Sequence, residues 1–206
     1  MIDWPTLESR IDEQLRAAQV PGLALAVVHG QEIIYARGLG VTSVEDVSLP
    51  ITPQTLFRIG STTKPLTGTA IMRLVEAGIL DLDTPLPQYL DWFTLSEDHA
   101  AERVTLRMLL SHTAGLPTQY EVAGPRDPAA LGAYLCQTLP TLPLVAPPGT
   151  LWSYSNLGLN LAGYIAEVVT GTPFPQLMQE WVFEPLQMMR TTFDPLVAMT
   201  LSLIHI

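Results

Sequence analysis

The chain has 206 residues, 48% hydrophobic and 15% charged, which is enough length and apolar material for one ordinary globular domain. Its formal charge of −10, from 20 acidic and 10 basic side chains, repels a phosphate backbone, and no local Lys/Arg cluster offsets that field, so nucleic acid is not an expected partner. Pro, Gly or a charge breaks every apolar run before the roughly 18 residues a membrane span requires, and the best run, Gly22 to Val28, is strand-sized.

Trp4, Leu7, Ile11 and Leu15 recur at helical spacing with charged residues between them, which predicts an amphipathic helix over 4–18, ended by Pro21-Gly22. Leu23–Val28 and Ile33–Arg37 are rich in β-branched residues and flank His29-Gly30-Gln31-Glu32, a β-hairpin pattern. Gly38, Gly40 and Thr42–Pro53 read as a loop. A second helix is expected over roughly 61–77, with Ile71, Leu74 and Val75 on its apolar side and Gly78 as its stop. Pro65 is tolerable in its first turn, where N–H groups are spare.

A short helix is expected around Thr105–Ser111, then irregular chain over 118–150 with a helical candidate at 128–138 and a firm turn at Pro147-Pro148-Gly149. Leu157, Leu161, Tyr164, Ile165 and Val168 mark a helix stopped by Gly171, and a further amphipathic helix follows at about 174–183. A two-stranded hairpin is marginal by itself. Either the fold is nearly all-α with one isolated ribbon, or partner strands lie beyond residue 206, and the second is the expectation.

Cys136 is the only cysteine, which rules out an internal disulfide, and its apolar setting in Leu131–Leu139 predicts a buried, inert thiol. His29, His99 and His205 share no metal-binding spacing, and neither a metal nor a cofactor is expected. The start, Met1-Ile2-Asp3-Trp4-Pro5, carries neither the basic nor the apolar region of a signal peptide. The default compartment is therefore the cytoplasm, with a leader upstream of an incomplete gene, and hence a periplasmic or secreted product, left open.

Two short patterns carry chemistry. Ser61-Thr62-Thr63-Lys64 is an S-x-x-K at an expected helix start, and the i, i+3 spacing lets the lysine amine approach the serine hydroxyl. A desolvated lysine can take the hydroxyl proton, and the N–H groups of a helix start stabilise an oxyanion. By itself the pattern arises by chance on the order of once in a chain of this length, and alone it reads better as a helix-capping serine followed by a solvated lysine. Tyr154-Ser155-Asn156 follows the Pro-Pro-Gly turn and precedes a helix. A phenol beside a lysine can relay the serine proton, and an Asn amide can bond both Lys64 and a substrate carbonyl. Its plain reading is an Asn helix cap beside a buried Tyr.

With S-x-x-K and Y-x-N in this order, the chain resembles the class C β-lactamase and D,D-peptidase branch of the penicillin-recognising serine hydrolases. The similarity runs from about Pro21 to Pro195 and is carried by Phe57–Lys64 with Pro65-Leu66-Thr67, Leu109–Pro117 (LLSHTAGLP), Pro147–Leu157 (PPGTLWSYSNL), and Phe183–Met188 with Thr191-Thr192-Phe193-Asp194. The resemblance implies an α/β (α+β) β-lactamase/transpeptidase-like fold: a helical region plus an antiparallel sheet, its C-terminal strands missing here. It implies acyl transfer through a Ser61 ester, with Lys64 and Tyr154 as shared general base and acid and Asn156 as a contact to substrate and lysine. The Ser61 N–H would be half of an oxyanion hole, and His112 resembles a structural turn residue. Substrates would be small molecules or peptides: esters, amides, D-amino-acid peptides or β-lactams. The oligomeric state stays open.

The family's third motif, Lys-Thr-Gly or His-x-Gly on a late strand, does not follow Asn156. Residues 1–200 are thus expected to form a partial domain of impaired activity, since losing one oxyanion donor costs about 100- to 1,000-fold. Leu201–Ile206 resembles a translated sequencing-adapter end and is expected to be a non-native tail. Two alternatives remain, a non-catalytic penicillin-recognising sensor and an inactive fragment. An ordinary α/β-hydrolase is disfavoured by the lack of a Gly-x-Ser-x-Gly elbow.

Overall fold

The computed structural model describes residues 2–45, 47, 49–97, 99–118, 127 and 129–201. The expected tail beyond residue 201, with His205, lies outside them. The chain divides into two compact units, one formed by its first 58 residues with those from Met189 onward, the other by Ile59–Met188.

The first unit opens with α1 (Trp4–Ala18), whose Asp3 cap accepts a hydrogen bond from the Thr6 N–H. It carries the two strands β1 (Gly22–His29) and β2 (Glu32–Gly40), paired antiparallel with a bulge between Val27 and Val28. Trp4 on α1 stacks on Tyr35 of β2 at 4.4 Å, and the Tyr35 hydroxyl donates to Glu8 at 2.8 Å. The helix thus lies over one face of the ribbon, the covering a two-stranded sheet requires. Val28 and Ile33 remain exposed, and among the described residues the sheet has two strands.

Gly38 and Gly40, expected in a loop, are in β2. A Cβ at Gly38 would stand 2.1 Å from the Ile51 carbonyl oxygen and one at Gly40 2.1 Å from that of Pro21. Both glycines, Gly38 inside β2 and Gly40 at its last residue, mark close backbone approach in the strand.

The second unit contains α2 (Thr63–Glu76), α3 (Leu106–Leu110), α4 (Ala130–Thr138), α5 (Asn156–Thr170) and α6 (Phe174–Met178), the last continued by a π-helical turn over Gln179–Phe183. The most buried helix is α5. Leu157, Leu159, Leu161, Ala162, Ile165 and Ala166 are all enclosed, and apolar positions on several faces let it touch α2, α3, α4 and α6. Small residues allow this closeness: a Cβ at Gly163 would come within 3.2 Å of the Phe174 ring.

Helix α2 ends in a Schellman motif. Gly78, at φ +71°, donates to the Val75 carbonyl, and Ile79 donates to that of Leu74. Ala70, Ile71 and Leu74 lock α2 into the core. Arg73 adds a hydrogen bond to the Trp181 carbonyl and a guanidinium 5.3 Å from the Trp181 ring centroid.

Cys136 is exposed, not buried as expected. Helix α4 buries Gly132 and Leu135, and one residue further on, about 100° around the helix, the side chain has left that stripe. No helix among the described residues is long and apolar enough to cross a membrane.

Candidate active site

Ser61 does not start the α-helix. It sits in a 3₁₀ turn, Gly60–Thr62, that feeds into α2. Gly60 enters this turn at φ +50°, where no neighbour would meet a Cβ, so glycine is required for conformation rather than for space. The Thr62 N–H closes onto the Ile59 carbonyl, so the Ser61 N–H stands ahead of the first closed turn. Thr62, the cap of α2, makes no side-chain capping bond, and Ser61 Oγ is bonded instead to Lys64 and Tyr154. Lys64 follows in the first turn of α2, half-buried, with its Nζ donating to Ser61 Oγ at 3.2 Å.

The second segment arrives through Ser155. This residue is extended (φ −137°, ψ 118°) and 3% exposed, and its Oγ accepts from the Gly158 N–H at 3.1 Å. It is the cap of α5, a role the plain sequence reading gave to Asn156. In extended chain, alternate side chains point to opposite sides. An inward Ser155 therefore leaves Tyr154 facing the other way, toward Ser61, and Asn156, the first residue of α5, brings its side chain to Lys64.

All four singled-out side chains meet. Ser61 Oγ and Tyr154 Oη are 2.7 Å apart, and Lys64 Nζ donates to Asn156 Oδ1 at 2.7 Å. The Lys64 nitrogen also stands 4.7 Å from the centroid of the Tyr154 ring. Since the ammonium donates to Ser61 Oγ, the serine's own proton is free to point at Tyr154. Hydrogen bonding from Lys64, then from Ser61, holds the Tyr154 phenol below its ordinary pKa. Ser61 and Asn156 are exposed, so the cluster is open to a ligand.

His112 occupies the turn after α3 at φ +59°, a region where histidine is enriched among non-glycine residues. Its ring lies 4.7 Å from that of Tyr154, and Nδ1 accepts from the Ser155 N–H at 3.1 Å. The sequence pointed to the turn but gave no sign of these contacts. Burial first, and the Lys64 charge second, hold its imidazole below the ordinary pKa. Trp152, 62% exposed, stands edge-on to His112 at 6.0 Å and adds an apolar surface beside the cluster.

A hydroxyl bonded to both an amine and a phenol, on a helical fold, is a constellation of the kind serine acyl-transfer enzymes use. The chain belongs to the beta-lactamase family, whose model matches residues 7–201. It is 33% identical over 195 residues to Esterase EstB of Burkholderia gladioli, covering 88% of this chain and 49% of that protein.

Among solved structures, the octameric penicillin-binding protein homologue from Pyrococcus abyssi is similar at TM-score 0.81 and 32% identity, over 94% of this chain and 45% of that one. D-alanine carboxypeptidase AmpC from Burkholderia cenocepacia is similar at TM-score 0.77 and 29% identity, over 96% of this chain and 52% of that one. The fold is therefore β-lactamase/transpeptidase-like, as the motifs implied, and the chain spans about half the length of these relatives.

Proposed function

We propose that the protein is a serine hydrolase that works by acyl transfer through Ser61. Ser61 Oγ attacks a carbonyl carbon while its proton passes to Tyr154 Oη, and the carbonyl electrons move onto oxygen beside the Ser61 N–H. Collapse expels an alcohol or amine, which takes the proton back from Tyr154 and leaves a Ser61 ester. Water repeats the sequence and releases the acid. Lys64 acts as the cation that favours the Tyr154 phenolate and orients Ser61, and Asn156 anchors Lys64 while offering its amide N–H to substrate.

The observation that carries this reading is the hydrogen-bonded chain Asn156–Lys64–Ser61–Tyr154, assembled from two segments some 90 residues apart in sequence. The relatives' names, esterase and D-alanine carboxypeptidase, point to esters and D-alanyl peptides as the first substrates to try, with β-lactams beside them. Fold and motif do not choose among these.

The test is covalent. The protein is incubated with a fluorophosphonate and separately with penicillin, and the adduct is located by peptide mass spectrometry. Labelling at Ser61, lost in Ser61→Ala, is expected. Labelling at another serine would overturn the reading. Turnover of a nitrophenyl ester, a D-Ala-D-Ala peptide and a chromogenic cephalosporin then sorts the substrate classes. A stable adduct without turnover would favour the sensor alternative.

A further inference from the structure

We infer that His112 is a positioning residue for Tyr154, gripping the peptide on both sides of it so that the phenol stays against Ser61. The inference rests on the acyl-transfer reading for its kinetic consequence and on geometry alone for its structural one. The carbonyl oxygen of His112 accepts from the Ser153 N–H at 2.8 Å, and its Nδ1 accepts from the Ser155 N–H at 3.1 Å. One residue thus bonds the amides immediately before and after Tyr154. Its ring packs on the Tyr154 ring with centroids 4.7 Å apart and planes 34° from each other. The Trp152 ring stands edge-on to the His112 ring, with centroids 6.0 Å apart and planes at 79°.

The grip has a chemical condition. An imidazole that accepts at Nδ1 must carry its proton on Nε2 and must be neutral, because the imidazolium has no acceptor. The groups facing it favour that state. Lys64 from α2 opposes a second cation nearby, and Tyr154 from the loop before α5 presents its ring. A residue present only to make the turn at φ +59° would need neither the acceptor nor its neutrality.

Two substitutions separate these roles. His112→Gly and His112→Asn both accept the left-handed conformation, and only Asn offers an oxygen near the place of Nδ1. The ionisation of Tyr154 is read from the phenolate absorbance difference between each protein and its Tyr154→Phe counterpart, and Ser61 acylation from the rate of fluorophosphonate labelling. In His112→Gly the Tyr154 ionisation should move up toward the ordinary phenol value, and labelling should slow on the order of 100-fold, the effect of roughly 1 Å of misplacement. His112→Asn should restore both.

Equal behaviour of the two variants in both measurements would overturn the inference. If the parent labels elsewhere than Ser61, the acyl-transfer reading fails, and the absorbance measurement still decides the role of His112. Should His112→Gly not fold, ¹⁵N shifts of the parent's imidazole decide: a neutral Nε2–H tautomer supports the grip, and an Nδ1–H tautomer overturns it.

Discussion

Replacing Tyr154 by Phe removes one oxygen and keeps the ring that packs against His112 and lies 4.7 Å from the Lys64 nitrogen. What disappears is the acceptor 2.7 Å from Ser61 Oγ. The other polar neighbour of that hydroxyl, Lys64 Nζ, donates to it at 3.2 Å and to Asn156 Oδ1 at 2.7 Å. The serine proton then has no placed base, and a placed general base contributes typically 10²- to 10⁴-fold, so acylation should fall by about that factor. The assay is a time course of fluorophosphonate labelling at saturating reagent, with Ser61→Ala as the blank and a thermal melt to confirm that the variant is folded. A folded Tyr154→Phe protein that labels at the parent rate would refute Tyr154 as the proton acceptor and leave Lys64 as the base.

Four further outcomes follow from the same geometry. Because Lys64 and Ser61 hold Tyr154 below its ordinary pKa, its phenolate is present above that lowered value and lost as pH falls through it. The acylation rate should therefore rise with pH along a limb that lies lower than an ordinary phenol would give, and Lys64→Met should move that limb upward, as a pH–rate profile would read. Ser155→Ala removes the buried cap on the Gly158 N–H and should cost about 0.5–2 kcal/mol in chemical denaturation. Gly115→Ala places a Cβ 2.1 Å from the Ala146 carbonyl at φ +76° and should yield little folded protein, whereas Gly30→Ala, with no atom within 4 Å, should cost only the 1–2 kcal/mol or so of a left-handed alanine. Expression yield and melting separate the two. Cys136, exposed on α4, should react with a thiol reagent in native buffer, and protection until denaturation would contradict its placement.

Local pattern was enough for most elements. The apolar spacing from Trp4 to Leu15 gave α1 its limits, and Gly78 and Gly171 stopped α2 and α5 because only the left-handed region ends a helix that way. Where one backbone presses on another, pattern was silent: Gly38 and Gly40 look like loop residues until Ile51 and Pro21 are seen against them. Cys136 went wrong for a related reason. An apolar stretch announces that a helix is buried on one side and does not say which residues face out.

The sequence by itself singled out the candidate side chains, because Ser61 and Lys64 are one helical turn apart and Tyr154 and Asn156 flank the Ser155 cap of α5, both short-range facts. Only the tertiary structure decided how the two pairs meet and what holds them. The 2.7 Å from Ser61 to Tyr154, the inward Ser155 and the two bonds from His112 all depend on α2, α3 and α5 packing around a shared core. Contacts between residues some 40 to 90 positions apart are made by burial of apolar faces. No local spacing encodes them.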